Sequence, residues 1–135
     1  MRDARAILAQ SRTLAVVGLS SAPWKPSHTV PARLQAAGYR ILPVNPHAEV
    51  LLGEPVHRRL EDITEPVDLV VVFRPSSATP EVARSAAAIG ARARWLQLGI
   101  ANPEARAIAE EAGMDYVEDL CTAVEVARHG LRAPT

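Results

Sequence analysis

The chain contains a single cysteine, Cys121, among 135 residues. An internal disulfide framework is therefore excluded, and a free thiol fits a reducing compartment. Aromatic residues are scarce, at 4%, so the core has to be built from Val, Leu, Ile and Ala. That mixture suits a buried parallel sheet covered by helices. Net charge is absent, because fifteen Lys and Arg offset fifteen Asp and Glu. No broad field is available to hold a duplex or an anionic membrane, so neither is an expected partner. No run approaches the ~20 apolar residues that cross a bilayer. The opening MRDARAILAQS has no apolar stretch of signal-peptide kind. These absences predict a cytoplasmic protein.

What is present is enough for a core. Apolar residues make up 48% of the chain, which argues against wholesale disorder. A chain of this length buries roughly two-thirds of its unfolded surface, and one domain over residues 1–135 is expected. Short apolar runs recur at Thr13–Val17, Tyr39–Val44, Val67–Phe73, Arg94–Leu98 and Asp115–Val117. Between them lie helical patterns. A short helix is predicted over 3–11. The next starts between Ser27 and Val30, with Pro31 placed in its first turn, and Gly38 closes it. Thr79-Pro80-Glu81 and Asn102-Pro103-Glu104 each read as a polar cap, a first-turn proline and an acid at the positive helix end. The last helix starts near Cys121 and fades by His129-Gly130. Residues 47–66 are irregular, with a turn at Gly53 and one helical turn near Leu60–Ile63.

Strands alternating with helices imply right-handed crossovers and a parallel sheet. The expected fold is α/β: a Rossmann-like, doubly wound, five-stranded parallel sheet in three layers, with strand order 3-2-1-4-5. Such a sheet opens a ligand crevice at the carboxyl ends of its strands, where the order reverses. On that order the crevice lies above strands one and four, beside Gly18-Leu19-Ser20 and Gly99-Ile100-Ala101. A glycine at each start lets another group approach the backbone.

Loop 18–28 leads from the first strand into a helix N-terminus, whose free amides suit phosphate. Ser20, Ser21 and Ser27 add hydroxyls, and Lys25 and His28 add positive charge. A surface loop with a capping serine is the plainer alternative. The dinucleotide fingerprint Gly-x-Gly-x-x-Gly is broken, since its positions hold Gly18, Ser20 and Pro23. The second strand ends in Val44-Asn45-Pro46, without the acid that takes NAD ribose hydroxyls. The Gly-Lys-Ser/Thr of a Walker loop is missing as well.

The ordered set Gly18-Leu19-Ser20, Lys25–His28, Gly38-Tyr39, Pro43–Pro46, Leu51-Leu52-Gly53, Val67–Arg74, Trp95–Gly99 and Asp119-Leu120-Cys121 resembles the stand-alone CoA-binding proteins of the YccU type. These are similar to the N-terminal CoA-binding domain of the succinyl-CoA synthetase α-subunit. The match runs from about residue 10 to residue 131. The resemblance implies coenzyme A as the cofactor, held across the switch point. By the same resemblance, the Gly18–Ser27 loop takes the phosphates and Val44, Asn45 and Pro46 line the nucleotide pocket. Phe73, Arg74 and Pro75 flank the adenosine, and Gln97, Gly99 and Ile100 lie under the pantetheine. Ser21, Ala22 and Pro23 depart from the glycine-richer loop of the synthetase. The ligase's further catalytic machinery has no counterpart in this sequence.

Other residues are weighed on their own chemistry. Arg74 follows the most apolar strand and either pairs a phosphate bidentately or is solvated at the strand end. Cys121 sits near a helix N-terminus, which lowers thiol pKa values, but no paired base accompanies it. His28, His47, His57 and His129 show no metal-ligand spacing. Trp24 reads as a lid on the loop or an adenine neighbour, and Trp95 as core. The small-residue helix 80–89 packs on the sheet or on a second subunit. No acid–base pair is evident. The first reading is a non-catalytic carrier or sensor of CoA or acyl-CoA. The alternatives are a small NAD(P)- or acyl-CoA-dependent enzyme and a regulatory subunit without ligand. A homodimer or a partner protein stays open.

Overall fold

The chain runs α1 (Ala4–Gln10), β1 (Thr13–Val17), α2 (Pro26–Ala36), β2 (Arg40–Val44), β3 (Val50–Leu51), β4 (Glu54–Pro55), β5 (Leu69–Val72), α3 (Thr79–Ala88), β6 (Ala93–Leu96), α4 (Pro103–Glu111), β7 (Asp115–Val117) and α5 (Thr122–His129) in a computed structural model describing residues 1–135. One-turn 3-10 helices occupy Leu60–Asp62 and Ser76–Ala78. The caps explain several boundaries. Asp3 accepts from the Ala6 amide at 2.9 Å and starts α1. Asn102 accepts from the Ala105 amide at 3.0 Å and starts α4, with Pro103 at the first position. Gly38, at φ +96°, closes α2.

Two helix starts differ from the sequence expectation. Helix α2 begins at Pro26, so Pro31 lies inside its second turn. Thr79 does not cap α3. The 3-10 turn leads directly into that helix, and the Thr79 hydroxyl donates to the Ser76 carbonyl at 2.7 Å.

The Rossmann-like α/β fold, five-stranded and parallel, is as expected, but its strand order is not. The sheet runs β2-β1-β5-β6-β7, which is 2-1-3-4-5 when only its own strands are counted. The third strand pairs with the first, not the second. His57 occupies the outer edge of β2. Its amide donates to the Pro43 carbonyl, and its carbonyl accepts from Asn45. Pro43 has no amide to offer on that outer side, which confines β2 to the sheet margin. The switch point therefore lies between β1 and β5.

Both faces of the sheet are covered. Ala15, Val17, Val70 and Val72 pack with Ala83 and Ala86 of α3 and Ala105 and Ala109 of α4. Leu14, Val16, Leu69 and Val71 pack with Ile7 and Leu8 of α1, Leu34 of α2 and Ala123 of α5. Alternate residues of each strand thus serve opposite layers. This is why the strands read as unbroken apolar runs. The small face of α3 lies on the sheet.

One charged side chain interrupts the layer beneath α3 and α4, the upper layer. Arg94 of β6 is fully buried. Its Nη2 donates to the Thr79 carbonyl, and its guanidinium lies 5.9 Å from the Tyr116 ring centroid. Nε and Nη1 have no partner. Burial lowers its pKa to about 10, and burial together with Glu118 raises that of Tyr116. No helix is long and apolar enough to cross a membrane.

Candidate functional site

The carboxyl ends of β1 and β5 meet at Gly18 and Phe73. Gly18 has φ +85°, and a Cβ there would lie 2.3 Å from the Phe73 carbonyl oxygen. The group that needs the missing side chain is therefore the neighbouring backbone. The Gly18 amide donates to the Val44 carbonyl at 3.1 Å, and the Phe73 amide to the Val17 carbonyl at 2.9 Å. The ends of β1, β2 and β5 are joined into one rim.

From this rim, loop 18–25 climbs to the start of α2. The Ser20 amide donates to the Ser27 carbonyl at 3.1 Å, and the Ser20 hydroxyl accepts from the Ala22 amide at 3.0 Å. His28 Nδ1 lies 2.6 Å from the Ser20 carbonyl. Lys25 stands at the cap position and supplies no side-chain cap. Its carbonyl accepts from His28 and Thr29. The amides of Leu19, Ser21, Trp24 and Ser27 donate to no acceptor within the protein. Unspent amides, an exposed lysine and a helix N-terminus together form a cradle that fits phosphate oxygens. The Leu19 side chain is fully buried and belongs to the core. Trp24 is 79% exposed and covers nothing in the free protein.

Asn45 locks the second wall. Its Nδ2 donates to the Leu19 carbonyl at 2.9 Å, and its Oδ1 accepts from His47 and Ala48 at 2.8 and 2.9 Å. The amide group is used up in holding the β1 loop against the β2 turn, so Asn45 positions the wall. Pro46 is exposed beside it.

Beneath this wall, between the segment after β4 and helix α3, lies a cavity of about 420 Å³. Val17, Val44, Leu60 and Val82 give it apolar surfaces, and Arg58, Arg59, Glu61, Glu81 and Ser85 give it polar ones. Apolar walls with a few polar groups suit a nucleoside. Arg58 donates through Nη1 to the carbonyls of Asn45 and Ala48. Arg59 reaches Glu61 at 3.4 Å, and the Ser85 hydroxyl donates to Glu61 at 3.1 Å. A hydrogen bond from its own backbone amide, with Ser85 and Arg59, holds the Glu61 carboxyl below its ordinary pKa. Of the sequence candidates, only Val44 lines this cavity. Arg58, Arg59 and Glu61 were missed because nothing local shows that segment 56–63 folds back along β2, and Glu81 and Ser85 because the helix 80–89 reads only as a helix start and a small-residue face.

The remaining candidates lie along the rim. Arg74 and Pro75 are exposed, and Phe73 is half-buried. Ser76, not anticipated, ties two loops together. Its carbonyl accepts from Asn102 Nδ2 at 3.0 Å and its hydroxyl from the Ala101 amide at 3.3 Å. Gln97 is buried and spent on Thr122. Its Nε2 donates to the Thr122 hydroxyl at 2.7 Å, and its Oε1 accepts from the Thr122 amide at 3.2 Å. Gly99 donates to Asp119 Oδ1 at 2.7 Å, and Ile100 packs against the upper core layer. The Gln97–Ile100 stretch is one strand further from the switch point than expected, because the crevice centres on β1 and β5. Half-buried Cys121 stands at the N-terminal cap position of α5 and supplies no side-chain cap. No group of three or more His, Cys, Asp or Glu side chains is arranged to hold a metal.

Residues 12–127 match the CoA binding domain family. The chain is similar to the uncharacterized protein YneT of Bacillus subtilis, at 40% identity over 122 residues and 90% of each chain. It is similar to the solved structure of cell-free ID.343 from Thermus thermophilus, with 44% identity, a TM-score of 0.87, and coverage of 92% of this chain and 94% of that one. An ADP-forming acetate–CoA ligase of Archaeoglobus fulgidus is 32% identical over 73 residues, which is 53% of this chain and 11% of the ligase. The family match covers most of the chain. The chain belongs to the CoA binding domain family.

Proposed function

We propose that this protein binds CoA or an acyl-CoA as a recognition module, with residues 1–135 acting as one cytoplasmic domain. The observation that carries the reading is the cradle between Gly18 and Ser27. Four amides without protein acceptors and an uncapped helix N-terminus stand beside a nucleoside-sized cavity. The diphosphate lies against Ser20–Ser27, with Lys25 adding charge and the α2 dipole favouring the anion. The adenosine enters the cavity over Val17 and Val44, and Phe73, Arg74 and Pro75 border it. The pantetheine runs towards Gly99 and Ile100, and the thioester end leaves near Leu98 and Leu120, both solvent-exposed. Gln97 and Asn45 fix the walls and touch the ligand little, since their amides are already paired.

A second reading has one observation in its favour. Glu61 and Glu81 bring to the cavity the carboxylates missing from the end of β2, and carboxylates accept from ribose hydroxyls. On that reading the ligand is an adenine nucleotide with a free ribose diol, such as NAD or ADP.

Calorimetric titration of ligand-stripped protein with CoA, NAD and ADP separates the two. Saturable CoA binding that exceeds the others, weakened roughly tenfold by Lys25→Ala without loss of folding, is expected. Binding of NAD or ADP in preference to CoA would install the second reading.

A further inference from the structure

We propose that Arg59 reads a phosphate monoester on the ribose of the bound nucleotide and so makes the cavity selective for CoA over nucleotides without that group. The inference rests on the CoA reading and adds the residue that confers discrimination.

The two arginines at the cavity differ in how far they are committed. Arg58 is spent on backbone, because its Nη1 holds the carbonyls of Asn45 and Ala48. Arg59 makes one long contact, 3.4 Å from Nη2 to Glu61, and its side chain is 68% exposed. An exposed single-contact pair is weak and easily exchanged. A bidentate arginine–phosphate pair is stronger and geometrically selective. The remaining guanidinium donors of Arg59 are available for it.

The platform beneath Arg59 is firm. His57 is bonded along β2 through both its amide and its carbonyl, and the Asp62 amide donates to the Arg59 carbonyl at 3.1 Å. Glu61 does not need Arg59 in order to stay in place, since the Ser85 hydroxyl holds it from α3. Glu61 thus keeps the guanidinium at the cavity mouth in the free protein and releases it to a dianion. Glu81, in the first turn of α3, makes no side-chain hydrogen bond to the protein and is left for the neighbouring ribose hydroxyl. The two carboxylates of the second reading then serve a phosphorylated ribose, one as a guide for Arg59 and one as an acceptor.

Calorimetry with CoA and with dephospho-CoA, on the full chain and its variants, tests this. The wild type is expected to prefer CoA at least roughly tenfold. In Arg59→Ala the preference collapses towards one, and Arg59→Lys restores part of it through charge without the fork. Adenosine 3′,5′-bisphosphate, which lacks the pantetheine, is expected to compete with CoA in the wild type and much less in Arg59→Ala. Equal wild-type affinities for CoA and dephospho-CoA would overturn the role of Arg59 while leaving CoA binding intact, as would a preference that survives in Arg59→Ala. Absence of binding by both ligands would overturn the CoA reading itself.

Discussion

Gly18 carries the severest steric constraint at the rim. Its φ of +85° disfavours any side chain, and the Phe73 carbonyl fills the space that a Cβ would take. Gly18→Ala is expected to lower the unfolding free energy by at least about 2 kcal/mol. Gly90→Ala is the control. Its φ is +72° but the space around it is open, so only the conformational cost of about 1 kcal/mol applies. Urea unfolding of both variants measures the difference, and equal losses would show that the Phe73 contact relaxes. A glycine requirement at position 18 is legible in the sequence, because a glycine ends an apolar strand before a polar loop. Which group presses against it is not legible, because that depends on which strand lies next to β1. The same limit applies at Arg59. Nothing in His57-Arg58-Arg59 distinguishes a cavity arginine from a solvated one until the chain folds back along β2.

Charge pairs at this scale contribute modestly. Arg40 meets Glu65 through two bonds of 2.8 and 2.9 Å on an exposed edge. The pairing lowers the Glu65 pKa and raises that of Arg40. A lowered carboxyl pKa stabilises the fold above the ordinary carboxylate range and ceases to do so as pH falls through the folded value. A raised guanidinium pKa matters only in strong alkali. Glu65→Gln is therefore expected to cost under about 1 kcal/mol at neutral pH, after solvent screening. The difference from wild type should vanish in acid and shrink with added salt. A loss that persists in acid would mean the glutamate acts through packing.

At the scale of elements, β2 decides where the site lies. Pro43 in the middle of an apolar run marks a margin strand, because it lacks the amide that a central strand needs on both sides. That signal is present in the sequence and argues against placing β2 between two neighbours. The order 3-2-1-4-5 overlooks it, and the observed order moves the crevice from above β6 to above β5. Helix α4, by contrast, was fully readable, because Asn102 and Pro103 act locally. Asn45 joins the β1 loop to the β2 turn through one bond, to the Leu19 carbonyl, and braces its own turn through two more. Asn45→Ala is expected to destabilise the fold by about 1–3 kcal/mol and to weaken CoA binding by loosening the wall between the β1 loop and the cavity. Thermal unfolding and calorimetry together test this, and unchanged affinity would separate the wall from the site.

Arg94 is the most deeply buried charged side chain of a largely apolar interior. It holds one carbonyl and leaves two nitrogens without partners in full burial. Buried charges of this kind are often replaced by apolar residues at no loss. Arg94→Met is expected to unfold at an equal or higher denaturant midpoint than the wild type. A clear loss would mean that the bond to Thr79, at the head of α3, outweighs the desolvation cost.

Across the whole molecule, the proposed site and the fold share one geometric feature. The strand order reverses between β1 and β5, and helices lie on opposite faces to either side of it. The rim at Gly18 and Phe73 is where α2 starts on one side and the run to α3 starts on the other. A chain without net charge has no long-range field to gather an anionic ligand, so the proposed recognition of CoA would rest on amides and a few cations placed at this rim. The alternation of strands and helices is legible from apolar periodicity alone. The loop proposed to hold phosphate is legible from the strand–glycine–loop–helix sequence. The cavity proposed for the nucleoside is not, because it is assembled from β1, β2, segment 58–61 and α3, which are distant in sequence.

The most direct test of the account is residue-resolved NMR of the isotopically labelled chain titrated with CoA. Amide resonances of Gly18–His28 and Arg58–Glu61 are expected to shift together and saturably, with those of Val82 and Ser85 following. Shifts confined to the opposite end of the sheet, around Glu65, Asp68 and Arg92, or no shifts at all, would contradict it.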